Sequence, residues 1–151
     1  MTLRWAIEQY RERHQDPLLL RASTLFSMLT VGRYVALRVD TDGPSPRLLG
    51  LRDDGRTVVE VGAMSEGTTD QLFLALRLAA VEQSISAGVR LPFLADDLFV
   101  NFDDERSEAG FRVLAELARS TQVLFFTHHP HLAAIAREVV GADLHSECSL
   151  F

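Results

Sequence analysis

Leu91-Pro92-Phe93-Leu94-Ala95-Asp96-Asp97, continuing as Leu98-Phe99-Val100-Asn101-Phe102-Asp103-Asp104, is the stretch on which the reading of this chain turns. A short apolar run between turn-prone residues predicts a buried strand. The strand ends in two adjacent carboxylates, Asp96 and Asp97. In an open parallel sheet ligands gather at the carboxyl ends of the strands, which puts the acidic pair at a mouth and outside the core. Neighbouring strand side chains point to opposite faces, but a backbone turn at the terminus can bring both acids toward one ligand. Two such groups repel, and a bound cation removes the penalty. Mg²⁺ suits the place because it takes oxygen ligands from one or two carboxylates and from phosphates. The same residues equally read as the opening of a loop or the cap of the next helix.

With 151 residues the chain can bury a sizeable core as one domain or as one lobe of a larger one. Its 47% hydrophobic and 24% charged residues are ordinary for a globular protein. No long uncharged apolar run is present, and Met1-Thr2-Leu3-Arg4-Trp5 lacks the apolar core of a signal peptide. The single cysteine, Cys148, excludes an internal disulfide. Together these features set the expectation of a reducing, cytoplasmic setting with no membrane contact. A net charge of −6 opposes general attraction to nucleic acid. All of the 15 basic residues are arginine. A phosphate-binding P-loop, Gly-x-x-x-x-Gly-Lys-Ser/Thr, needs its lysine and is therefore absent from this sequence.

Outward from the acidic strand, residues 3–14 carry sparse apolar positions and read as the end of an amphipathic helix. Asp16-Pro17 restarts helix as N-cap and first helical residue. Leu18, Leu19, Ala22, Leu25, Phe26 and Leu29 follow at helical spacing up to Gly32. Residues 34–39, 47–51 and 56–61 read as three strands, joined by Asp42-Gly43-Pro44 and Asp53-Asp54-Gly55 in an antiparallel meander. Thr68 with Gln71 fits a capping box opening a helix that is apolar on most sides, hence buried. Ser65 and Gly67 then stand at a helix N-terminus, which favours an anion, although such a turn by itself is more often a capped end with no ligand. Beyond the acids, a helix with Phe111, Val113, Leu114 and Leu117 leads to a second apolar strand, Gln122–Thr127, ending in His128-His129-Pro130-His131. Pro130 opens a last helix closed by Gly141, and residues 142–145 are compatible with a final strand.

A Ser-x-Gly-x-x-x-Gln turn opening a helix, an apolar strand ending in two acids, and a strand ending in Thr-His, in that order, resemble the carboxyl-terminal lobe of an ATP-binding-cassette ATPase head. The resemblance is to the SMC, RecF, RecN and SbcC group, and within it to the YhaN-like AAA-family proteins. It covers the chain from about Pro17 onward. It implies an α/β fold, the second half of a P-loop NTPase head, with parallel strands flanked by helices, an antiparallel meander and a coiled-coil stub in residues 1–30. Residues 31–151 would be the lobe. It also implies roles. Ser65, Gly67 and Gln71 fall on the signature motif that meets nucleotide held by a partner protomer. Asp96 falls on the Walker B aspartate that holds Mg²⁺, and Asp97 on the position of the catalytic acid, glutamate in many relatives. Asn101, Phe102 and Asp103 match the D-loop at the dimer interface. His128 falls on the switch histidine, with His129 as the other candidate. The implied cofactors are ATP and Mg²⁺. The implied partners are an amino-terminal lobe bearing Walker A, a second head, and DNA in the full assembly. On that reading the chain alone is inactive, and losing its lobe partner leaves a sheet edge and an apolar face exposed.

Two other readings stand beside it. A self-contained metal-dependent hydrolase would use Asp96, Asp97, His128, His129 and His131. An interaction module would keep the fold without the chemistry. Arg4, Arg11, Arg13 and Arg21 are compatible with a nucleic-acid patch or with a solvated helix face.

Overall fold

A computed structural model describes residues 16–150. The helix expected over residues 3–14, with Arg4, Arg11 and Arg13, lies outside the described residues. The first described helix, α1 (Pro17–Leu29), starts as its sequence dictates: Asp16 caps it, accepting the Leu18 N–H at 3.0 Å, and Pro17 fills the first turn. Ala22, Leu25, Phe26 and Leu29 form its buried face. Val31 and Gly32 take left-handed backbone (φ 53° and 77°) and turn the chain into the meander.

That meander is β1 (Tyr34–Asp40), β2 (Arg47–Arg52) and β3 (Val58–Glu60), antiparallel and in sequence order. Leu37 pairs with Gly50, and Gly50 with Val59. The inner side of β1 rests on α1, where the Leu37 N–H donates to Ser23 Oγ at 2.9 Å. A 3₁₀ turn, Val61–Ala63, leads to the longest helix, α2 (Glu66–Ser86).

Helix α2 begins before the expected capping box. Ser65 is the N-cap, accepting the Thr68 N–H at 3.3 Å, and Thr68 lies inside the first turn. Ser and Thr both cap well, so Ser-Glu-Gly-Thr offers two starts, and packing selects the first. Nor is α2 buried all round. Leu72, Ala75, Leu78 and Ala79 face α1, whereas Phe73, Arg77 and Ala80 are exposed. Arg21 of α1 clamps Glu82 of α2 through two hydrogen bonds, the second at 2.9 Å, so this arginine serves a helix contact.

The remaining unit is β4 (Phe93–Asp96), α3 (Asp104–Leu117), β5 (Val123–Phe126) and α4 (Pro130–Val140). Strands β4 and β5 are parallel, Phe93 opposite Val123 and Asp96 opposite Phe126. A βαβ crossover through α3 is the connection that parallel strands require. Their inner face carries Ala95 and Phe125 onto an aromatic cluster of Phe99, Phe102 and Phe111, with ring centroids 4.9–5.0 Å apart. Phe99 lies on Gly110, where any Cβ would strike its ring. The outer face is open, as expected of a lobe without its partner: Leu94 is 63% and Phe126 42% exposed. A continuous apolar run implies cover on both faces, and among the described residues only one face has it. Residues 142–144 form a turn, not the final strand.

Candidate functional site

The parallel register sets the site, since it brings the ends of β4 and β5 side by side. Asp97 follows β4, and its N–H donates to the Phe126 carbonyl at 2.9 Å, one step beyond the last strand pair. There the backbone flips into the left-handed region, φ 47°. Aspartate tolerates that region better than most residues, and such conformations concentrate at functional sites. The flip carries the Asp97 side chain toward the end of β5, where His128 Nδ1 lies 2.9 Å from Asp97 Oδ2. The other oxygen, Oδ1, is buried and has no hydrogen-bond partner among the described residues. Asp96 is exposed at the strand end.

His129 is the N-cap of α4, held by its backbone N–H on Thr127 Oγ1 at 3.1 Å. Its ring stands 4.0 Å from that of His128 and 5.6 Å from that of His131, centroid to centroid. Asp96 and Asp97 border a shallow cavity of about 230 Å³ completed by Leu98 and by Asp70, Phe73, Leu74 and Arg77 of α2. Sequence reading missed Asp70 and Arg77. Their spacing, with Phe73 and Leu74 between them, is the i, i+3, i+4, i+7 stripe of one helix face.

A second group forms where the start of α2 meets the loop before α3. Gly67 is buried there, and a Cβ on it would stand 2.6 Å from the Asn101 carbonyl oxygen, so only glycine permits the approach. Asn101 Nδ2 donates to Asp70 Oδ2 at 2.8 Å, joining this group to the cavity wall. Asp103 caps α3, accepting the Arg106 N–H at 2.9 Å. Ser65 is exposed at the helix start, its Oγ 2.8 Å from Thr68 Oγ1. Gln71, expected at a ligand, is instead wholly buried and donates through Nε2 to the Leu29 carbonyl at the end of α1. Its helical phase with Ala75 and Leu78 accounts for this. The structure thus joins Asp97 to His128, and Gly67 to Asn101. Among the described residues the hydrogen bonds of Ser65 go to Thr68 and Thr69 and not to Asp96 or Asp97.

No protein-family model matches the chain. It is 35% identical over 133 residues, 86% of its length, to "Uncharacterized protein YhaN" of Bacillus subtilis (strain 168), and spans 13% of that protein. Among solved structures, one from work on ATP-driven dimerization and DNA-stimulated activation of SMC ATPases superposes with a TM-score of 0.66. Identity is 18%, over 86% of this chain and 78% of that one. The chain has the fold of the carboxyl-terminal part of an SMC ATPase head. Two further SMC heads agree, each at 18% identity. That of Pyrococcus furiosus, bound to the C-terminal domain of ScpA, gives a TM-score of 0.62 over 87% of this chain and 33% of that one. That of Thermotoga maritima gives 0.57 over 86% and 44%. Among the described residues no helix is long and apolar enough to cross a membrane.

Proposed function

We propose that this chain is the carboxyl-terminal half of an ATP-hydrolysing head of the SMC and YhaN kind, completed by a lobe that carries the P-loop. The observation that carries the reading is the 2.9 Å contact of His128 Nδ1 with Asp97 Oδ2, made where two parallel strands end together. Asp97 is the group proposed to take a proton from the attacking water, and His128 the group that orients it and senses phosphate. Asp96, exposed beside them, would hold Mg²⁺. The uncommitted Oδ1 of Asp97 fits a place that still lacks a partner. When bound, Mg²⁺ neutralises charge on the phosphates. Ser65 and Gly67, with Asn101 and Asp103, would face nucleotide and the interface of a second head. Gln71 ties α2 to the end of α1 through the Leu29 carbonyl. The open apolar side of β4 and β5 is the face proposed to receive the P-loop lobe. DNA belongs, on this reading, to the full assembly, since a charge of −6 gives this part no general affinity for it.

Phosphoryl transfer depends on positioning and charge stabilisation, much of it from the P-loop. The 151-residue chain alone is therefore expected not to turn over ATP. Adding a separately produced P-loop lobe should restore hydrolysis, and Asp97→Asn should abolish it. Turnover by the pure chain, or a lobe that binds and stays silent, would overturn the proposal, the second result favouring a scaffold.

A further inference from the structure

The geometry points to Asp70 as a positioning residue for the proposed reaction: by gripping Asn101 it fixes the loop that follows the acids to the start of α2. The inference rests on the nucleotide reading and names the contact that joins its two halves. On that reading Asp96 and Asp97 act on nucleotide held by this head, while Ser65 and Gly67 face the nucleotide of the second head. Asp70 and Asn101 stand 31 positions apart in the chain, so what joins the halves here is a tertiary contact.

Asn101 meets α2 at two points. Its carbonyl oxygen abuts Gly67, where an added Cβ would stand 2.6 Å away. Three residues further along the helix, Asp70 Oδ2 accepts the Asn101 Nδ2–H at 2.8 Å. Residues i and i+3 share a helix face, so the carbonyl and the amide of one residue grip neighbouring turns. A carboxylate acceptor makes the second contact charge-assisted, roughly twice as strong as a neutral hydrogen bond. The rest of the loop is already anchored. The Asp97 N–H is held on β5 by the Phe126 carbonyl, and the Phe102 N–H closes a turn on the Phe99 carbonyl at 3.0 Å. The rings of Phe99 and Phe102 are buried and stacked, and Asp103 caps α3. Val100 and Asn101 are exposed, so the core does not hold them, and the grip on α2 does. Charge alone does not explain an acid at position 70. It shares the wall of one cavity with Asp96 and Asp97, where a third carboxylate adds repulsion. The hydrogen bond to Asn101 offsets that cost.

The test has two arms. In the labelled chain alone, without nucleotide, Asp70→Ala and Asn101→Ala both break the contact, whereas Asp70→Asn keeps an acceptor and removes the charge. Amide NMR signals of Asp97 and His128 should shift alike in the two alanine variants and much less in Asp70→Asn, and the same spectra report whether each variant is folded. Shifts confined to the neighbours of the substitution would overturn the inference. So would shifts as large in Asp70→Asn as in Asp70→Ala, which would mark a charge effect. In the complex with the P-loop lobe, Asp70→Ala should lower kcat by about tenfold or more while KM stays within about twofold, because a misplacement of about 1 Å costs on the order of 10²-fold. Asp70→Asn should recover most of the rate. Full turnover in Asp70→Ala would overturn the positioning role and leave the proposed function standing. A parent complex that turns over no ATP would overturn both.

Discussion

Asp97 meets two demands at once, a left-handed backbone and a carboxylate beside His128. Asparagine shares the first property and lacks the second. Asp97→Asn should therefore stay within about 1 kcal/mol of the parent in denaturant unfolding, whereas Asp97→Val should lose about 1–3 kcal/mol from backbone strain alone. Equal losses would show that the turn is unstrained. Gln71 gives the converse case. Wholly buried and bonded to the Leu29 carbonyl, it should cost at least about 1–3 kcal/mol when changed to alanine. A stable Gln71→Ala protein that lost only its response to nucleotide would restore the ligand role. At the turn between β2 and β3, the Thr57 hydroxyl, then the Thr57 and Arg56 N–H groups, hold the Asp54 carboxyl down at about 2. Its folded value lies below its unfolded one, so the turn's contribution is present above the unfolded value of about 3.9 and is lost as pH falls through about 2. A carboxyl-carbon NMR titration should find that midpoint, and Thr57→Val should raise it. A wild-type midpoint in the ordinary range would contradict the turn geometry.

Among the elements, α1 and the meander were legible because their signals are local. Asp16-Pro17 starts a helix, and turn residues separate the three strands. The acid and imidazole of the site were legible too, since each ends an apolar strand and parallel pairing does the rest. The start of α2 was ambiguous because two capping residues stand three apart, and what decides between them, the Asn101 carbonyl against Gly67, is a long-range contact. Cover of the βαβ unit was expected from the resemblance and not from the strand pattern, because an apolar strand records that something packs on it, not whether that something is the same segment of chain. Gly110 was equally silent. With Phe99 on it, Gly110→Ala should displace the ring and cost about 1–3 kcal/mol, read as a lower unfolding midpoint. An unchanged midpoint would mean that the aromatic cluster has room to spare.

At the scale of the molecule, one side of the parallel pair is apolar and open among the described residues, through Leu94, Leu124 and Phe126. Such a face with a free sheet edge invites association. Light scattering should detect self-association that falls when Leu94 is changed to arginine, and a strictly monomeric parent would count against an interface there. The strand ends are, on the proposed function, half of a nucleotide site. Amide NMR of the labelled chain, saturated with an unlabelled P-loop lobe and then given Mg²⁺ with a non-hydrolysable ATP analogue, examines that directly. Nucleotide should shift the signals of Asp96, Asp97 and His128 beyond the changes caused by the lobe itself. Shifts confined to the apolar face, with those three residues unmoved, would contradict it.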